Sequence, residues 1–208
     1  MNKMKYAFLI VVIAACGTNE PTEVAKSPQE QAVALRDSAV RMAAQNKQEG
    51  DIQKSLALLD EAMALDPENK GFYTAKMNIY SKSGDFENLS KVLEKLDGSN
   101  LKDPYYTLQL AMEYELQGNR EAANMKYSEA VDSFISIIDT MKADHRFKRN
   151  TLLMNVALAS SLSESASDKA KLDAIMTDAE RENLNPAIEQ LNAVPREEVL
   201  NRRRNKQQ

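Results

Sequence analysis

The chain has 208 residues with 27 basic and 31 acidic side chains, a formal charge of −4 that argues against a general nucleic-acid or anionic-membrane surface. One histidine and one cysteine leave no His–His or Cys/His zinc site and no internal disulfide. Six glycines, spread singly, form no phosphate-cradling loop of the GxxxxGKS/T or GxGxxG kind.

Residues 1–15 differ in kind from the rest. Lys3 and Lys5 precede an uninterrupted apolar run from Tyr6 to Ala15. A run of that length is too short for a membrane span, which takes about 20 residues, but it fits a secretory signal. It ends Ile13-Ala14-Ala15-Cys16, which resembles the lipobox of bacterial lipoproteins. That resemblance implies cleavage before Cys16 and acylation of its thiol. The mature chain would then be anchored to a bilayer without spanning it, since each buried methylene contributes about 0.8 kcal/mol. Gly17 in place of an aspartate points to the outer membrane, on its periplasmic or surface face. Residues 16–27, with Pro21, Glu20 and Glu23 and few apolar side chains, read as a flexible tether.

A helix is expected from Pro28 to Gln48, opened by Ser27-Pro28. Gly50, Gly84 and Gly118 then recur at intervals of 34 residues. A small or apolar residue lies five places after each (Ser55, Leu89, Ala123), another four further on (Leu59, Leu93, Tyr127), and a third three beyond that (Ala62, Leu96, Ala130). The glycines stand between helically periodic segments, where the chain must reverse and a positive φ has little cost. The residue after each (Asp51, Asp85, Asn119) can accept from the free amides that open the next helix. The remaining helices of this region are expected near 52–65, 70–82, 86–97, 104–117 and 120–142.

This period of helix, turn and helix resembles the tetratricopeptide repeat family, best in Gly50-Asp51-Ile52, Ala62-Met63-Ala64-Leu65-Asp66-Pro67 and Gly84-Asp85-Phe86. The resemblance covers about residues 36–137. It departs from the family at Leu96, where alanine is preferred, at the late Pro104, and at Arg120, where an aromatic is usual. It implies an all-α fold, a right-handed solenoid of antiparallel helical hairpins over residues 28–142 with three clear repeats.

Beyond Asp139 the repeat weakens. Residues 143–195 read as a degenerate fourth hairpin and a capping helix. Thr151 to Leu162 would be its buried first helix and Leu172 to Leu184 the second, with a short helix starting at Asn185-Pro186 and ended by Pro195. Residues 196–208, with Arg202-Arg203-Arg204, read as a solvated basic tail.

Nothing in the sequence assembles a catalytic constellation. His145 lies in a basic connector (Lys142, Arg146, Lys148, Arg149) without a nucleophile elbow, and acidic pairs such as Glu113/Glu115 and Glu197/Glu198 read as solvated surface. The expectation is a binding protein with no enzymatic activity, cofactor or metal and no nucleic-acid partner.

In the resembled family the first helices of successive hairpins line a concave groove that receives a peptide or helix. Carried over by register, the groove residues are Val40 and Lys47, then Thr74, Asn78 and Lys82, then Tyr105, Leu108, Met112 and Glu115. The lysine-and-asparagine clamp that grips chaperone tails is absent, because the matching positions hold Val40, Ala44, Ala75, Tyr105 and Gln109. The resulting expectation is a lipid-anchored adaptor for a protein or peptide in the bacterial cell envelope. The alternative is an accessory glycan- or nutrient-binding lipoprotein of an outer-membrane uptake system, which the lack of tryptophan weakens.

Overall fold

The computed structural model describes residues 26–45, 48–141 and 145–207, with the backbone alone for 203–207. Among them the chain is all-α. Ten helices follow one another: α1 (Pro28–Gln45), α2 (Glu49–Leu65), α3 (Lys70–Ser83), α4 (Phe86–Asp97), α5 (Pro104–Leu116), α6 (Arg120–Thr140), α7 (Arg146–Ser163), α8 (Ala166–Ile175), α9 (Asp178–Ala193) and α10 (Arg196–Gln207). Residues 1–25, which hold the expected leader, Cys16 and most of the expected tether, lie outside the described residues. No described helix is long and apolar enough to cross a membrane.

The 34-residue pattern becomes a burial pattern. All nine positions at five, nine and twelve residues after the glycines are fully buried: Ser55, Leu59 and Ala62; Leu89, Leu93 and Leu96; Ala123, Tyr127 and Ala130. Each triplet lies on one stripe of an even-numbered helix, as a 3.6-residue period requires. Ser55 is accommodated in this stripe because its hydroxyl donates to the Asp51 carbonyl at 2.8 Å within its own helix.

Two turns are built alike. Gly84 and Gly118 have φ of +75° and +83°, a region that penalises side chains with a Cβ. Past each, the amide of Asp85 or Asn119 donates to the carbonyl of Tyr80 (2.9 Å) or Tyr114 (2.8 Å), closing the helix end. The same Asp85 and Asn119 then open the next helix by accepting from the amides of Asn88 (3.1 Å) and Ala122 (3.3 Å).

Gly50 does not share this role. It is the second residue of α2, its φ is not positive, and Gln48 holds the N-cap position. Asp51 is therefore inside the first turn, where its charge complements the helix dipole, instead of capping the helix. The helix simply begins three residues earlier than expected.

Each helix from α1 to α8 packs against the next, and alternate helices also touch, as in α1 with α3, α6 with α8 and α7 with α9. The apolar interior is divided. Three small clusters serve α1–α5, among them Ala39, Leu56, Leu59, Ala75 and Ile79 between α1, α2 and α3. One large cluster joins α5, α6, α7 and α8 with Leu200 of α10, and α9 packs its partly buried Leu184, Ile188 and Leu191 against it.

The C-terminal third corrects three expectations. The chain breaks at Met176-Thr177, so residues 172–184 are two helices. Thr177 and Glu180 form a reciprocal capping box that starts α9 there. Asn185-Pro186 starts nothing, because Pro186 lies within α9. The expected solvated tail is the helix α10, whose Leu200 is buried.

Candidate functional site

The starts of α3 and α5 meet through residues about one repeat apart. Asn100 donates to Glu68 at 2.6 Å, the hydroxyls of Thr74 and Tyr106 lie 3.0 Å apart, and Lys70 faces Asp103 at 3.7 Å. The even-numbered helices are tied in the same manner. Lys126 of α6 donates to Asp97 at the end of α4 at 2.5 Å, and Ser128 of α6 donates to Asp168 of α8 at 2.6 Å. Thr107 also donates to Asp97 at 2.8 Å. Burial would raise the pKa of Asp97, but these hydrogen bonds and the charges of Lys126 and Lys102 outweigh it and hold the carboxyl below its ordinary range.

On the odd-helix face the expected groove residues separate into two groups. Val40, Thr74, Asn78, Lys82 and Tyr105 are exposed. Tyr105 also stands edge-on to Phe134, with ring centroids 5.0 Å apart, which fixes its orientation while leaving 45% of it exposed. Leu108 and Met112, by contrast, are buried in the large apolar cluster and present no surface to a partner. Lys47 lies outside the described residues.

Glu115 is also engaged. Its carboxylate accepts from the Tyr127 hydroxyl at 2.7 Å and from Nε of Arg196, the first residue of α10. The Arg196 guanidinium sits 5.9 Å over the Tyr127 ring, faces Glu164 at 3.1 Å, and donates to Asn124 at 3.3 Å. Burial chiefly, with the hydrogen bond to Glu115, pushes the Tyr127 phenol far up. For Arg196 burial works the other way, yet the bond to Glu115 and the charges of Glu115 and Glu164 raise its pKa and keep it cationic.

These contacts place α10 along the odd-helix side. Its first residue is fastened at the ends of α5 and α7, and its body packs against α3. Leu108, Met112 and Glu115 are thus withdrawn from solvent by the large core and α10, while Val40 of α1 and Thr74 and Asn78 of α3 stay exposed. Arg196, Leu200 and Glu164 escaped the sequence reading. The signal for α10 was Pro195 ahead of Glu197-Glu198 and Val199-Leu200, a helix start with acidic residues in its first turn.

Glu164 marks the fourth turn. It adopts φ +56°, the left-handed conformation that glycine provides in the second and third turns, and Ser165 then caps α8 by accepting from the Asp168 amide at 3.3 Å. The glutamate is held by Arg120 at 2.8 Å and by Arg196. Among the described residues no cluster of three or more His, Cys, Asp or Glu could hold a metal ion. No family model, curated protein or solved structure matches the chain.

Proposed function

We propose that this chain is a lipid-anchored envelope adaptor: a tetratricopeptide-like stack, carried on the acylated Cys16, that holds a protein or peptide partner on its concave face without catalysis. The observation that carries this reading is the register at which the start of α3 meets the start of α5. Contacts at Glu68–Asn100, Thr74–Tyr106 and Lys70–Asp103 set one hairpin beside the next with nearly a full repeat between paired residues. On first helices Val40, Thr74, Asn78 and Tyr105 are exposed, an apolar, two polar and an aromatic side chain mounted on rigid elements. The left-handed Glu164 followed by the Ser165 cap supports α7 and α8 as a fourth, degenerate hairpin.

Two experiments test this reading. Affinity capture from native envelopes after mild crosslinking should enrich a protein that an Asn78→Ala/Tyr105→Ala variant of unchanged helicity loses. Equal capture by both forms would refute use of this face. For the anchor, Cys16→Ser should move the protein from the membrane to the soluble fraction, and retention on membranes would refute acylation there.

A further inference from the structure

We propose that α10 is a displaceable occupant of the protein's own binding face, and that the partner it stands in for is a basic amphipathic helix. That helix would carry an arginine in its first turn and apolar residues three and four positions later. The inference rests on the adaptor reading above and deepens it by naming the partner's chemistry.

Three observations carry it. The first is how the segment is seated. Arg196 enters a built pocket of Glu115, Glu164, Asn124 and the face of Tyr127, and Leu200 reaches the core while the helix body packs against α3. Arg196 does nothing for its own helix, because a cation in the first turn opposes the helix dipole. Its fit is to the seat.

The second is how little else holds the helix. Of the twelve residues of α10 only Val199 and Leu200 are apolar, and Val199 is half-buried. In α7, by comparison, nine residues are buried. An open cleft of about 470 Å³ lies between α7, α9 and α10, lined by Leu158, Leu191 and Val199 together with Glu164, Lys169 and Asn192. The joint that leads from α9 into α10 is extended at Val194, followed by Pro195.

The third is charge. α10 carries five basic residues against two acidic ones, and the groups receiving its arginine are Glu115 and Glu164. A competing helix would need the same arrangement: a guanidinium for the Glu115 carboxylate and an apolar pair for the site of Leu200.

The test uses the full chain and a fluorescent peptide of residues 195–208, read by anisotropy. An Arg196→Ala/Leu200→Ser variant, whose own α10 no longer competes, should bind the peptide at least tenfold more tightly than the wild type. Adding Glu115→Gln to that variant should weaken binding at least tenfold, as should the same two substitutions placed in the peptide. Hydrogen exchange of the wild type provides an independent reading: amides of 198–207 should exchange at least a hundredfold faster than those of α6 and α7.

A folded variant that binds no peptide, a variant that unfolds, or α10 exchange as slow as global unfolding would each overturn the proposal and make α10 a structural cap. A wild-type dimer that dissociates on Arg196→Ala/Leu200→Ser substitution would overturn it in favour of α10 exchange between two copies. Envelope capture dependent on Asn78 and Tyr105 would survive any of these failures, so the adaptor reading can stand when this one falls. Peptide exchange without such capture would uphold the seat and count against the adaptor.

Discussion

The two halves of the molecule solve the burial problem differently. From α1 to α4 the interior is a series of small clusters, each shared by one hairpin and the next helix, and the polar ties join residues about one repeat apart. From α5 onward a single cluster spans five helices including α10, and Arg196 reaches back 81 positions to Glu115. The first half is a row of nearest-neighbour contacts and the second is closed on itself. A row can lose one unit and keep the others, whereas a closed core fails together.

The strongest way to break this comparison is to truncate matched core residues. Leu59→Ala and Leu153→Ala each remove a fully buried leucine, and each should cost about 2–5 kcal/mol in denaturant unfolding. Hydrogen exchange should separate them: Leu59→Ala should loosen α1–α3 alone, while Leu153→Ala should raise exchange throughout α5–α9. Equal spread from both sites would erase the distinction.

Acid should then act mainly on the ties between units. Burial tends to raise the carboxyls of Asp97, Asp168 and Glu180, yet hydrogen bonds from Lys126 and Thr107, from Ser128, Ser163 and Lys171, and from Arg149 and Thr177 respectively hold all three below the ordinary range. Because their folded-state pKa values lie below the unfolded ones, they add stability above about pH 4, which is lost as pH falls through the folded values. The melting temperature should be flat from neutral pH to about 5 and fall steeply below about 4. Asp168→Asn should remove part of that slope, and an unchanged profile would argue against this tie between α6 and α8.

Smaller effects sharpen the turn logic. Gly84→Ala and Gly118→Ala should each destabilise by about 1–2 kcal/mol through the left-handed backbone, measured as a lower denaturant midpoint. Asp85→Ala and Asn119→Ala, which remove caps, should cost about 1 kcal/mol each. The smallest change should have the opposite sign. Gly50→Ala, inside α2 with open space around the missing Cβ, should stabilise by about 0.5–1 kcal/mol. A destabilised Gly50→Ala would restore Gly50 as a turn residue.

The helices up to Thr140 were legible because each boundary is made locally. Asn69, Asp85, Asp103 and Asn119 all accept from amides of the helices they open, and spacing of apolar residues alone marks the buried stripes. After Thr140 the local signals were present but ambiguous. Pro186 and Pro195 look alike as breakers, yet one lies within α9 and the other precedes α10. Thr177 and Glu180 carried a readable capping box that the apolar run across Leu172 to Leu184 concealed.

The candidate face was legible only in part, for a geometric reason. Helical periodicity tells which positions share a stripe, and it was the register of the resembled repeat family that placed Val40, Thr74, Asn78 and Tyr105 on the exposed side of first helices. It cannot tell what a distant segment covers. Leu108 and Met112 belong to the core because they join the apolar cluster that α5 shares with later helices, and Glu115 is engaged because a residue 81 positions away carries the matching charge. Local propensity and the 34-residue period thus determined the all-α class and most helices up to Thr140, since those depend on neighbours along the chain, but they could not separate Gly50 from Gly84 and Gly118. Tertiary structure alone decided where the basic C-terminal helix lies, because its seat depends on a carboxylate and an apolar site that local sequence cannot see.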